Sequence, residues 1–174
     1  MTQAGDGWPL QVHAALKDAG VRLVAYVPDA GHSRLIELCH ADRAQRAVVL
    51  STEEEGIGIA AGAWLGGLRS ALLMQSSGVG NCINALGMVA ECRFPLLMIV
   101  TMRGEAGETN PWQVPMGRAT PAVLEALGVE VSAAARAAQV APAVAAGARR
   151  AFEKEAAVAV LIAQQVIGIK SFEE

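Results

Sequence analysis

Five short runs of apolar residues are spread along the chain. They read RLVAYV at Arg22–Val27, AVVLS at Ala47–Ser51, SALLMQ at Ser70–Gln75, LLMIVT at Leu96–Thr101 and VAVLI at Val158–Ile162. None alternates polar with apolar, as a strand wetted on one side must. Such runs belong to strands buried on both faces, which is the situation in a parallel sheet covered by helices. The segments between them carry helix signals at about residues 8–19, 31–41, 53–66, 79–92, 121–127 and 140–155. Repeated βα units therefore predict an α/β fold, a doubly wound and mostly parallel sheet with helices on both faces. Gly20 and Gly128 stand where helices stop, and Pro121 and Pro142 where a first helical turn tolerates proline. The alanine-rich stretch from Ser132 to Ala151 reads as a helix packed on the sheet.

Composition narrows the class. A length of 174 residues fits one domain, residues 1–174, large enough for a substantial core. Hydrophobic residues make up 53% of it, yet no run approaches the roughly 20 uninterrupted apolar residues that cross a bilayer. The excess points to buried subunit contacts rather than a membrane. The start, MTQAGDGWPLQ, has no basic and apolar signal pattern, so a cytoplasmic location is expected. Cys39, Cys82 and Cys92 cannot all pair and lack C-x-x-C spacing, which suits small buried fillers in a reducing compartment. A net charge of −3 with no long basic run argues against nucleic acid and leaves a small molecule as the expected ligand.

In an open parallel sheet ligands collect beyond the carboxyl ends of the strands. The unusual residues stand there: Val27–His32 (VPDAGH), Ser51–Gly56 (STEEEG), Gln75–Asn81 (QSSGVGN) and Met102–Glu105 (MRGE). Any such fold has polar junctions, so residue types must carry the chemistry. The segment Glu53–Gly67 (EEEGIGIAAGAWLGG) is the most telling. Three acids at a helix start can simply complement the helix dipole. However, both flanks of the helix turn apolar after the acids, which expects one carboxylate to begin inside protein. The glycines at 56, 58, 62, 66 and 67 allow another backbone to approach closely. An interface helix with a buried acid at its tip is the expectation.

The run Glu53-x4-Gly58-Ile59-Ala60-x-Gly62 resembles the glutamate-bearing helix of the pyrimidine-binding domain in thiamine-diphosphate enzymes. Registering on Gly62 places the family's glutamate at Glu53; registering on the glycine two residues after the acid places it at Glu54. Glu53 brings the whole small-residue run into line and is preferred. Gln75-Ser76-Ser77-Gly78-Val79-Gly80-Asn81-x2-Asn84-Ala85-Leu86 resembles the family's glycine-rich turn after the third strand, with Val79 in place of a proline. Phe94–Val100, Arg103-Gly104-Glu105-x-Gly107 and Gln113-x2-Met116-Gly117 are similar to the sulfopyruvate and phosphonopyruvate decarboxylase branch. The likeness runs from about Val24 to Val129.

This resemblance implies thiamine diphosphate as cofactor, with Glu53 at its pyrimidine and Ser77, Gly78, Val79, Gly80, Asn81 and Asn84 around it. Family members hold magnesium and the diphosphate on a second domain with a G-D-G motif and a downstream asparagine. Here Gly5-Asp6-Gly7 is a lone match without that asparagine, so no metal site is assigned to the chain. The resemblance thus implies an α subunit whose β subunit carries the diphosphate-binding domain and Mg²⁺, in a hetero-oligomer with α–α contacts, active only with that partner. The implied reaction is decarboxylation of an anionic 3-substituted pyruvate, such as sulfopyruvate or phosphonopyruvate, to an aldehyde and CO₂.

Candidates for the remaining roles lie in the loops. Asp29 and His32 follow the first strand in what resembles an active-site V-P-D loop. His32 is a candidate proton shuttle near neutral pH, while the plainer reading has Asp29 capping the next helix. Arg103 suits a sulfonate or phosphonate or, equally, an ion pair with Glu105 or Glu108. Asn81 and Asn84 either bond near the pyrimidine or cap a helix. A Rossmann-like binding domain without catalysis and a purely structural partner subunit are the alternatives. The first is weakened by the absence of G-x-G-x-x-G after the first strand.

Overall fold

A computed structural model describes residues 7–168. In chain order the elements are α1 (Gly7–Asp18), β1 (Val21–Tyr26), α2 (Ser33–Ala41), β2 (Arg46–Val49), α3 (Glu53–Leu65), β3 (Arg69–Gln75) and α4 (Ser76–Cys92). They continue with β4 (Leu96–Thr101), α5 (Gln113–Ala126), β5 (Glu130–Ala134), α6 (Ala137–Lys154), β6 (Ala157–Ile162) and α7 (Gln164–Ile167). The six strands form one sheet in the order β2-β1-β3-β4-β6-β5, and every pairing is parallel. The central strands β3 and β4 are the apolar ones, buried along nearly their whole length.

Helices cover both faces. Trp8, Val12 and Leu16 of α1, spaced by four, pack with Leu35 and Cys39 of α2 and with Val140, Val144, Ala148 and Phe152 of α6 over one face. Ile57 and Ala60 of α3, Val79, Cys82, Leu86 and Val89 of α4 and Leu124 of α5 fill the other. Gly20 and Gly128 end α1 and α5 in the left-handed region, at φ +73° and +78°. The chain leaves β1 for the edge strand β2 and returns to β3 on β1's other side. That reversal opens a crevice at the carboxyl ends of β1 and β3.

Several expectations need correction. Glu130–Ala134 is a strand, not the start of a helix: Ser132 pairs with Val160 and Ala134 with Ile162. As an edge strand with exposed positions it lacks the apolar run that marks an inner strand. Helix α5 starts at Gln113 and α6 at Ala137, so Pro121 and Pro142 lie inside helices, each forfeiting one backbone hydrogen bond. Helix α4 begins directly at Ser76. Cys39 and Cys82 are buried, but Cys92 is exposed. On α3 only the flank of Glu53, Gly56, Ile57, Ala60 and Ala63 is buried. The opposite ridge ends in Leu65, 88% exposed, and side chains at Gly58 and Gly62 would meet open space. The lone Gly5-Asp6-Gly7 match, to which no metal role is assigned, has its Gly5 and Asp6 outside the described residues. Among those described, no helix is long and apolar enough to cross a membrane.

Candidate active site

The α3 amino terminus separates the three acids sharply. Glu53 is 8% exposed, whereas Glu54 and Glu55 face solvent. Glu55 accepts the backbone N–H of Ser51 at 2.9 Å, the ordinary task of an acid in a first helical turn. Glu53 instead turns toward α4, where its Oε2 accepts a hydrogen bond from Asn81 Nδ2 at 2.7 Å. Gly78 faces the same carboxylate, and a Cβ there would overlap it. Gly78 and Asn81 are i and i+3, so the bare backbone that seats the carboxylate and the donor lie on one side of α4. The first turn of α4 is thus shaped around a buried acid. Gly78→Ala is expected to displace the Glu53 carboxylate while leaving the core intact, at an overpacking cost of about 1–3 kcal/mol. A melting curve and a crystal structure of the variant check this; an unmoved Glu53 refutes it.

A second polar cluster is buried at the ends of β1, β3 and β4. Thr101 Oγ1 donates to Asp29 Oδ2 at 2.7 Å, and Gln75 Nε2 donates to Asp29 Oδ1. Burial pushes the Asp29 carboxyl up, but the Thr101 bond, the nearby His32 and the Gln75 bond together hold it below the usual range. Gly31 makes the approach possible, since a Cβ there would lie 2.8 Å from Asp29 Oδ2 and 2.9 Å from Thr101 Cγ2. Asp29 also lines an open groove of about 440 Å³ with Tyr26, Pro28, Ser33 and Glu37. Because Gln75 directly precedes the turn holding Ser76, Ser77 and Gly78, four consecutive residues join this cluster to Glu53.

His32 differs from expectation. Its ring is wholly buried, with Nδ1 3.6 Å from Asp29 Oδ2 and neither ring nitrogen in a hydrogen bond. Burial drives its pKa down to about 4, against the attraction of Asp29. A ring that is neutral and enclosed at pH 7 is no solvent-facing shuttle.

Arg103 is also engaged. Its Nε and Nη2 clasp Glu108 at 2.7 and 2.8 Å, with side chains 5% and 1% exposed. The Arg103 bonds, outweighing burial, hold the Glu108 carboxyl far below the usual range. Gln164 Nε2 donates to Glu108 at 2.9 Å, and the Gln164 backbone N–H donates to Glu105. Of the two roles open in the sequence, the ion pair is the one formed. The guanidinium fork closes the loop after β4 on itself, Gln164 ties that loop to α7 through Glu105 and Glu108, and Gly117 lets α5 sit against the Arg103 carbonyl.

Of the other candidates, Ser77 is half-buried and Asn84 exposed. Val79 has no exposure and serves the core. Gly80 packs on Met116, whose Sδ would lie 3.3 Å from a Cβ there. Sequence reasoning placed Gln75 and Ser76 in the junction after β3 without giving their side chains a role and gave none to Thr101; Ser76 Oγ accepts the Arg103 N–H at 3.0 Å. The signal was a polar residue closing an otherwise apolar strand.

Residues 11–123 match the family model described as the thiamine pyrophosphate enzyme N-terminal TPP binding domain. A sulfopyruvate decarboxylase subunit alpha from Methanothermobacter thermautotrophicus is 43% identical over 119 residues, covering 68% of this chain and 72% of that one. A phosphonopyruvate decarboxylase from Streptomyces viridochromogenes is 38% identical over 121 residues, which is 68% of this chain and 30% of that longer one. A solved 2-oxoglutarate:ferredoxin oxidoreductase from Magnetococcus marinus superposes with a TM-score of 0.72 over 91% of this chain and 29% of its own. At 15% identity it is similar in fold alone.

Proposed function

We propose a function from the premise that the chain belongs to the thiamine pyrophosphate enzymes, whose N-terminal TPP binding domain it matches over residues 11–123. It acts as the α subunit of a split decarboxylase of 2-oxo acids. The observation that carries this is Glu53: a carboxylate almost out of water, held by Asn81 and seated in room that the missing side chain of Gly78 leaves for it. Those residues fit an aminopyrimidine, because Glu53 offers a buried anionic acceptor for the hydrogen on a ring nitrogen. When bound, thiamine diphosphate supplies the electron sink that loss of CO₂ from a 2-oxo acid requires.

The chain's own part is binding and orientation. Glu53 would hold the ring N–H through a carboxylate oxygen and would favour the proton arrangement that activates the ring. Asp29, ionised and lining the groove, offers a second fixed acceptor near the carboxyl ends of β1 and β3. Buried His32 backs Asp29, and the Gln75–Gly78 turn keeps the two carboxylates in register. Ser77, Gly80 and Asn84 lie on the same helix as Gly78 and are proposed to contribute to the cofactor's surroundings.

The diphosphate and Mg²⁺ are assigned to a β subunit, and cytoplasmic hetero-oligomers with α–α contacts follow, with the open α3 ridge of Gly58, Gly62 and Leu65 as one contact. The names of the relatives support a 3-sulfonated or 3-phosphonated pyruvate as substrate. The test is release of CO₂ from sulfopyruvate, phosphonopyruvate and pyruvate by this chain alone and by the chain with the diphosphate-domain subunit that copurifies with it. Turnover is expected only with both subunits and chiefly on an anionic substrate. Steady turnover by this chain alone would overturn the split-enzyme reading.

A further inference from the structure

Resting on the reading of Glu53 as the acid that meets the pyrimidine, we propose that Asn81 is its positioning residue. It ties down Oε2 and leaves Oε1 as the oxygen presented to the ring. An ionised carboxylate only accepts hydrogen bonds, so the amide nitrogen of Asn81 faces it and is committed there, 2.7 Å from Oε2. Oε1 takes no hydrogen bond from the described residues, and the carboxylate nests against Gly78 in the room that a side chain there would fill. A glutamate at the first position of a helix has three rotatable side-chain bonds, and a site that must meet a flat ring in one orientation needs those bonds fixed beforehand. Helix α3 offers no such restraint, because the neighbouring acids are turned to solvent. Helix α4 supplies it through two residues one turn apart. Asn81 thus acts on the ring through Glu53 and does not touch it.

The experiment is a double-mutant cycle on the reconstituted complex, read by thiamine diphosphate affinity from calorimetry and by circular dichroism of the bound aminopyrimidine. Asn81→Ala is expected to weaken cofactor binding by roughly 10- to 100-fold, the range for one hydrogen bond to a charged group. Asn81→Asp, which keeps the shape but sets two carboxylates together, is expected to be worse. In a Glu53→Ala background the further loss from Asn81→Ala should fall below about twofold, since coupled residues are not additive. In parallel, the side-chain amide of Asn81 in the ¹⁵N-labelled chain should shift on Glu53→Ala, which reads the bond without cofactor. Full, additive losses in the cycle overturn the positioning role while leaving Glu53 in place. An unmoved amide resonance overturns it as well. Unchanged cofactor binding and dichroism in Glu53→Ala itself sink the reading of Glu53, and the positioning role with it.

Discussion

Glu53→Gln is expected to lower decarboxylation by the reconstituted complex by about 10³-fold, within the range for loss of a group that governs proton placement. Glutamine keeps the length of the side chain and an oxygen for Asn81, so the fold should survive; what it removes is the charge. Glu54→Gln and Glu55→Gln are expected to stay within about 0.5 kcal/mol of the parent in stability and within a few-fold in rate, because both side chains face solvent. Rates of CO₂ release for the three variants beside the parent decide the matter. A dead Glu54 variant with an active Glu53 variant would shift the register of the whole motif by one residue.

Arg103→Ala is expected to lower the stability of the chain by roughly 3–5 kcal/mol, because it strands the Glu108 carboxylate, 1% exposed, without its cation. Activity should then fall alike on pyruvate and on an anionic pyruvate, since the guanidinium fork is already filled by Glu108. Replacing both partners with apolar residues of similar size should restore much of the stability. The pair also sets a response to acid. The Glu108 carboxyl is held well below its unfolded value of about 4.3. Its stabilisation is therefore complete above that value and declines as pH drops below it toward the folded one. Denaturant melts from pH 6 to pH 3 should show the parent losing stability below about pH 4 more steeply than the doubly apolar variant. A loss confined to substrates with a distal anion is the opposite outcome and would return Arg103 to the substrate.

The repeated βα order was legible because inner parallel strands are apolar on both faces, as Leu96–Thr101 shows with every residue buried. Strand β5 was not, because an edge strand exposes much of its length. Its sequence EVSAA runs without a break into an alanine-rich helix. Only hydrogen bonding to β6 tells the two apart. Helix α5 was seen late because Pro121 looks like a beginning, and tertiary packing of Gly117 and Leu124 carries the helix through it.

The site divides along the same line. Residue order alone placed an acid at the start of an unusually apolar, glycine-dotted helix and a glycine-rich turn after the next strand. These are local features, written in consecutive residues. Which of three adjacent acids is buried depends on the helix's rotation against α4, and that emerges only when Ile57 and Ala60 enter the core. The fate of Arg103 depends on a loop folding back to bring Glu108 and Gln164 beside it, and that of His32 on how deeply α2 is packed. Burial and pairing across tens of residues belong to the tertiary structure, because they are set by which surfaces meet.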